Sequence, residues 1–371
     1  MTVKIFDLER EYEGLESELV AAFERVCKRG EFILGEEVAA FEAAFARYTG
    51  VHFAVGVGSG TDALRLGGLA LGLKSGDKVV TTPNTYVATV MALSIHGIVP
   101  VFCDIDPEDM TMDPGALEEV LKATSGVKVC IPVHLYGHPC RMDEIMDVCG
   151  RFGVTVFEDA CQAHGALYKG RKVGTFGAAA AFSFYPTKNL GAYGDAGGLV
   201  TANRGIYDAI CRLRNYGQTG KHVHAVEGFN SRLDELQAAI LSVKLPGLDA
   251  ANERRRHLAD IYGMDLEEDP PPLVLPVEKP WARHVYHLYV IRCAERDHLS
   301  QFLKARGIGS LVHYPTPIHL QEAYRRLGYS KGAFPQAEKA ASEILSLPLY
   351  PALKEEEVVS VCTAIRAFYR R

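Results

Sequence analysis

The stretch Phe53-Ala-Val-Gly-Val-Gly-Ser-Gly60-Thr61-Asp-Ala-Leu-Arg-Leu-Gly-Gly-Leu-Ala-Leu-Gly-Leu73 reads as a strand, a glycine turn and a helix, in that order. Its opening apolar run is short and continuous, and the residues after the turn recur at helical spacing. The same unit returns downstream: Lys78-Val-Val-Thr-Thr-Pro83, followed by the helical pattern Val87-Ala-Thr-Val-Met-Ala-Leu-Ser. Residues 99–106 and 127–137 add two buried-strand candidates, and 142–153 a helix that ends at glycine. Residues 154–160, 178–185 and 197–203 bring the number of predicted strands to seven. Mostly continuous apolar strands separated by helices predict an α/β fold, a mixed and mostly parallel sheet covered on both faces. Ligands of such sheets bind at the carboxyl ends of strands, so the polar residues that close these strands carry the functional question.

Beyond this region a long helical pattern, residues 231–263, is interrupted at Pro246-Gly247. A proline-rich extended segment follows at 269–280. The strand-like His284-Val-Tyr-His-Leu-Tyr-Val-Ile-Arg-Cys293, a helix around 298–307 and the strand-like Ile308-Gly-Ser-Leu-Val-His-Tyr-Pro315 then predict a smaller α+β domain.

The chain has 371 residues, 48% hydrophobic and 23% charged, with 40 Lys+Arg against 46 Asp+Glu. That length suits two domains. A net charge of −6 argues against nucleic acid or an anionic membrane as partner, since both require a basic surplus. An anionic ligand must instead be caught by a local cluster. Nine cysteines occur in no zinc-type spacing, and no run is long and apolar enough to span a bilayer. The N-terminal residues carry charges throughout and lack the apolar core of a signal peptide. Reduced thiols in a cytoplasm fit this usage.

Three segments hold residues that can do chemistry. In the glycine turn, Gly56-Val-Gly58-Ser59-Gly60-Thr61 misses the dinucleotide fingerprint at its last position, where Thr61 replaces glycine. Two readings stand open: a helix N-terminus that takes a phosphate on its N–H groups and a hydroxyl, or a plain cap by Ser59 or Thr61. In Val154-Thr-Val-Phe-Glu158-Asp159-Ala-Cys161-Gln162-Ala-His164, two acids close a strand. Either one can serve a ligand or simply cap the next segment, and Cys161 and His164 read as packed and hydrogen-bonded rather than metal-bound. In Ser183-Phe-Tyr185-Pro-Thr-Lys188-Asn-Leu-Gly191, a hydroxyl and a lysine follow a strand end among aromatics and glycines. Partial burial there lowers a lysine pKa toward the free amine that Schiff-base chemistry needs.

These segments, together with Gly228-Phe-Asn230-Ser-Arg-Leu-Asp-Glu-Leu-Gln237, resemble the DegT/DnrJ/EryC1/StrS family of pyridoxal-phosphate (PLP) sugar aminotransferases. The similarity runs from Phe6-Asp-Leu through Phe32-Ile-Leu-Gly35 to Leu347-Pro-Leu. It implies the aspartate-aminotransferase fold (PLP fold type I), with a large PLP-binding domain over 1–250 and a smaller C-terminal α+β domain over 251–371. It also implies roles for single residues. Lys188 forms the internal aldimine and shuttles the proton, cycling PLP through its pyridoxamine form. Asp159 pairs with the pyridine nitrogen and keeps the ring an electron sink. Gln162 lies against the phenolic oxygen, Tyr86 stacks on the ring, and Gly60, Thr61 and Ser183 hold the phosphate. Asn230 reaches the partner subunit's phosphate, which makes the enzyme a homodimer with shared sites. Dehydratase relatives carry histidine in place of the lysine, so Lys188 favours the aminotransferase branch.

For the substrate, Val133-His134-Leu-Tyr136-Gly-His138 and Lys221-His222-Val-His224 resemble members that aminate C3 of nucleotide-linked 3-keto-6-deoxyhexoses. Arg212, Arg214, Lys221, His222 and His224 form a basic run suited to a pyrophosphate, against the alternative of a solvated helix face at Arg212 and Arg214. Tyr185, Lys221 and Tyr314 are the expected substrate contacts, and glutamate is the expected amino donor. C4 amination of a GDP-4-keto sugar and amination of a cyclitol remain alternatives. From other classes, the glycine turn permits a nicotinamide dehydrogenase, and the fold permits a non-catalytic regulator.

Overall fold

In a computed structural model that describes residues 2–371, the seven expected strands form one sheet. Edge to edge, its order is Phe53–Val57, Gly197–Thr201, Ala179–Ser183, Thr155–Asp159, Val127–Cys130, Lys78–Thr81 and Val99–Phe102. All neighbours run parallel except Gly197–Thr201, which is antiparallel to both of its own. The strands are shorter than their apolar runs, because the chain turns as soon as a strand reaches the ligand-facing edge. Helices cover both faces. One layer packs Leu64, Leu66 and Leu93 against Phe157 and Leu199, while the other packs Phe41 and Phe45 against Phe182 and Phe184.

Local signals place the helix ends. Helix Met142–Phe152 stops at Gly153, whose φ of 67° is the left-handed conformation that ends helices. The Pro246-Gly247 interruption is a single tight turn, Leu245–Gly247, between helices Glu235–Lys244 and Leu248–Glu268. The latter packs against helix Glu355–Tyr369 and the strand pair Tyr289–Arg292 and Ile344–Leu347, around a separate apolar cluster that includes Tyr262, Leu299, Leu345 and Ile365. One expectation fails here. Residues 308–315 do not form a strand; Ile308 and Leu311 each make one isolated bridge, to Val3 and Ser346. Pro315 and Pro317 just beyond have no N–H to extend a ladder.

All nine cysteines are free, and no helix among the described residues is long and apolar enough to cross a membrane.

Candidate active site

The carboxyl ends of the strands surround one cavity of about 430 Å³, within the usual range of small-molecule sites. Lys188, Asp159, Gln162, Gly60, Thr61, Ser183, Tyr86, Tyr185 and Tyr314 all reach its wall, so the structure brings together nine of the eleven expected site residues. Asn230 and Lys221 are not among them. Both are exposed at the surface, Asn230 after the hairpin Gln218–Gly220/Val223–His224 and Lys221 at its turn.

The phosphate end is built by close backbone approach. A Cβ on Gly60 would lie 2.6 Å from Ser183 Cβ, and one on Gly197 would lie 2.2 Å from the Ser59 carbonyl carbon. Only glycine lets helix Gly60–Ala70 start directly against two strands. The cap reading is borne out, and it leaves room for the other. Ser59 Oγ caps the helix by accepting the Asp62 N–H (3.1 Å), which leaves the Gly60 and Thr61 amides and the Thr61 hydroxyl at the cavity wall. A positive helix-end dipole with N–H donors is the arrangement that can take an anion.

The two acids of strand Thr155–Asp159 separate, because successive side chains leave a strand on opposite faces. Glu158 is fully buried and accepts from the N–H groups of Gly174 (2.7 Å), Phe176 (2.8 Å) and Gly177 (2.8 Å). It also accepts from His134 Nε2 at 3.0 Å. His134 Nδ1 accepts the Cys140 N–H (3.0 Å), so the hydrogen that faces Glu158 is on Nε2. Burial pushes the Glu158 pKa up, but these donors outweigh it and hold the carboxyl below its ordinary value. Asp159, 4% exposed, faces the cavity with two neighbours. Thr89 Oγ1 donates to Oδ2 (2.7 Å) and the Cys161 N–H to Oδ1 (3.1 Å), leaving lone pairs for a ligand. Thr85 Oγ1 lies 2.9 Å from Thr89 Oγ1.

Lys188 sits across the cavity. Burial lowers its pKa, opposed by Cys161 and Asp159. Its Nζ lies 3.4 Å from His287 Nε2. Gln162 accepts the Tyr136 N–H (2.8 Å) and donates to the Tyr314 hydroxyl (3.2 Å). The Tyr314 ring is 5.2 Å from that of Tyr86, and burial pushes its phenol pKa up. Ser183 Oγ accepts the Tyr185 N–H at 3.4 Å and keeps its own hydrogen to donate.

Other expectations are corrected. Arg214 is neither a solvated cation nor a substrate contact: it is 9% exposed and pairs with Glu42 and the Gly56 carbonyl (2.8 Å). Of the segment that carries the C3 resemblance, His134, Tyr136 and His138 do not line the cavity. Tyr136 OH donates to the His313 carbonyl, and His138 packs edge-on against His284. His164 was expected to be hydrogen-bonded; it is instead packed against Phe182 and Phe184, and neither ring nitrogen has a hydrogen-bond partner. Burial and Lys188 lower its pKa to about 3, so it is neutral. Several cavity residues had no role assigned from the sequence, Thr89, His287 and His313 among them. Thr89 lies in helix Ala88–Ser94, and Thr85, which its hydroxyl meets, lies in the turn before it.

The residues present fit pyridoxal phosphate. An open helix N-terminus matches a phosphate, a buried amine matches an aldehyde, and a part-satisfied carboxylate opposite matches a ring N–H. The chain matches the DegT/DnrJ/EryC1/StrS aminotransferase family model over residues 14–366. It is 45% identical to a pleiotropic regulatory protein of Geobacillus stearothermophilus, over 100% of this chain and 99% of that one. It is 43% identical to the dTDP-3-amino-3,4,6-trideoxy-alpha-D-glucose transaminase of Streptomyces venezuelae, over 100% of this chain and 97% of the relative. The crystal structure of S. venezuelae DesV in complex with a ketimine intermediate superposes with a TM-score of 0.96 at 43% identity, covering 100% and 99% of the two chains. Sequence, sheet order and site chemistry agree that the chain belongs to the DegT/DnrJ/EryC1/StrS aminotransferases, PLP-dependent enzymes of fold type I that aminate sugars.

Proposed function

We propose that this enzyme aminates the C3 keto group of a dTDP-linked 3-keto-6-deoxyhexose, with L-glutamate as donor, in two half-reactions at one cavity. The observation that carries the chemistry is the convergence of Lys188, Asp159 and the open helix start at Gly60–Thr61. Support for the sugar comes from the S. venezuelae relative, named for a dTDP-3-amino-trideoxyglucose.

Bound pyridoxal phosphate supplies an aldehyde for amines and a ring that accepts electrons once its nitrogen is protonated. The chain supplies the rest. Gly60, Thr61 and Ser183 hold the phosphate, and Asp159 holds the ring proton. Gln162 faces the phenolic oxygen, and Tyr86 covers the ring. Lys188 moves protons at Nζ; because burial lowers its pKa, more of it is the neutral amine near neutral pH. Tyr185 and Tyr314 flank the opening where a sugar enters.

No arginine lines this cavity and its sole lysine is Lys188, among the described residues, so a pyrophosphate finds no free cation within one chain. We therefore assign Asn230 and Lys221 to a second copy: the partner subunit's Asn230 reaches the phosphate and the partner's Lys221 the pyrophosphate. Tyr216, Val223 and Val226 expose apolar surface around this hairpin, as a buried interface requires. The free thiols suit a reducing cytoplasm.

The test of substrate is to give the pyridoxamine form a panel of dTDP- and GDP-keto sugars and identify the product by NMR. Amination of a 3-keto dTDP sugar is expected; exclusive use of a 4-keto sugar or a cyclitol would overturn the assignment. The test of shared sites is to mix inactive Lys188→Ala and Asn230→Ala chains. Random exchange makes half the dimers hybrid, each with one intact site, so about a quarter of wild-type activity should return. No recovery despite subunit exchange would remove the shared site.

A further inference from the structure

We propose that His287 is a positioning residue for Lys188: its Nε2 accepts a hydrogen from the Lys188 amine and thereby aims the nitrogen lone pair into the cavity. The proposal rests on the reading of Lys188 as the Schiff-base lysine.

A chain of hydrogen bonds fixes the direction of each donor. The Val285 carbonyl can only accept, so the Asn189 group 3.0 Å from it is the Nδ2 amide, which also donates to Asn252 Oδ1 (2.8 Å). Asn252 is held in turn by donating Nδ2 to the His164 carbonyl at 2.8 Å. The Asn189 side chain therefore presents Oδ1 to His287 Nδ1 (3.2 Å), which must carry the ring hydrogen. The opposite nitrogen, Nε2, is left with a lone pair, and Lys188 Nζ stands 3.4 Å from it. His287 is 4% exposed. Burial, with the nearby Lys188, Arg255, His313 and His164, keeps it well below its usual pKa, so it stays neutral. Asp159 and Cys161 face Lys188 from the other side.

A neutral amine that gives one hydrogen to Nε2 has its lone pair turned away from the ring, toward the open cavity. Bond formation would then need less of a search: with pyridoxal phosphate bound, the amine would condense with its aldehyde, and both nitrogen hydrogens would leave with the aldehyde oxygen as water. The same acceptor favours the protonated amine over the free one, which sets a pH signature apart from orientation.

The experiment follows Schiff-base formation when pyridoxal phosphate is added to cofactor-free chain, read at the visible band from pH 6 to 11 by stopped flow. His287→Leu removes the acceptor, while His287→Gln places an amide oxygen near the site of Nε2. The high-pH plateau rate should fall about 10–100-fold in the leucine variant, with its midpoint moved to lower pH. It should recover to within about threefold in the glutamine variant. An unchanged plateau and midpoint in His287→Leu, or equal impairment in both variants, would overturn the proposal. If the leucine chain does not fold, a glutamine variant slowed more than about tenfold overturns it alone. Borohydride reduction and peptide mapping are run on each protein. An adduct on a lysine other than Lys188 sinks the underlying reading, which is thus told apart from failure of the His287 role.

Discussion

Glu158 and Asp159 are neighbours in one strand and carry the same functional group, yet one is closed and the other open. Glu158 spends its lone pairs on three backbone N–H groups and His134, and it ties the loop at 174–177 to the sheet. Asp159 has two donors and a cavity. The difference follows from the alternation of a strand: one face meets its own chain, the other the ligand edge. A carboxylate at a strand end is thus functional when its chain leaves it incompletely satisfied.

The sharpest break of this contrast is a pair of neutral replacements. Asp159→Asn should lower turnover about 10²–10⁴-fold and leave the melting temperature within about 2 °C, since the amide oxygen keeps the Cys161 N–H while its NH2 donates to the Thr89 hydroxyl, which can turn to donate to Thr85. Glu158→Gln should do the opposite. Its amide brings donors against the N–H groups of the loop, so stability drops by about 3 kcal/mol while turnover per folded site survives. Denaturant melts and active-site titration read both. A stable Glu158→Gln, or an unfolded Asp159→Asn, would erase the distinction.

Acid unfolding probes the same carboxylate without a large structural change. The folded-state pKa of Glu158 lies below its unfolded value of 4.5. Its contribution is therefore complete above that value and is lost as the pH falls through the folded pKa. Urea midpoints between pH 3 and 7 should drop more steeply for the wild type than for Glu158→Gln, and the two curves should converge at acid pH. Parallel curves would show that Glu158 is not an acid-labile part of the fold.

The open carboxylate has a smaller lever in Thr89. Thr89→Val keeps shape and removes the hydrogen bond to Oδ2, so kcat should fall about tenfold with little change in stability. An equal loss in KM and kcat would instead point to a displaced Asp159.

How far the sequence reached differs between sheet and site. The seven strands were legible because both faces are buried, which leaves continuous apolar runs with glycine or proline at their ends. The strand-like run at 308–315 misled because its β-branched and aromatic residues fit a strand, but neighbouring prolines limit it to single bridges. Lys188, Asp159, Gln162 and Ser183 were legible because each lies within a few residues of a strand end. His287 was not, since its partner Lys188 is 99 positions away and its segment reads only as an apolar strand. Arg214 was misread for the same reason. Its partner Glu42 is 172 positions away, so nothing local separated a buried ion pair from a basic surface run.

The smallest predicted effect transfers the contrast from side chains to helix ends. The helix start at Gly35–Val38 is closed by its own chain: buried Glu235 accepts the N–H groups of Gly35 (2.8 Å), Glu37 (2.9 Å) and Val38 (3.0 Å). The start at Gly60–Thr61 has only Ser59, which serves Asp62 and stops there. An anion added to the first has nowhere to go; at the second it completes an unfinished cap. Thr61→Val removes one side-chain hydroxyl at that end and keeps its amides and Ser183. Its cost should be a single hydrogen bond, about 1 kcal/mol or a fivefold weaker affinity for pyridoxal phosphate, with kcat at saturation unchanged. Inorganic phosphate should compete with the cofactor for cofactor-free protein, and less well in Thr61→Val. If phosphate competes equally with both proteins, the Thr61 hydroxyl does not touch the anion, and the backbone amides with Ser183 define this end of the site.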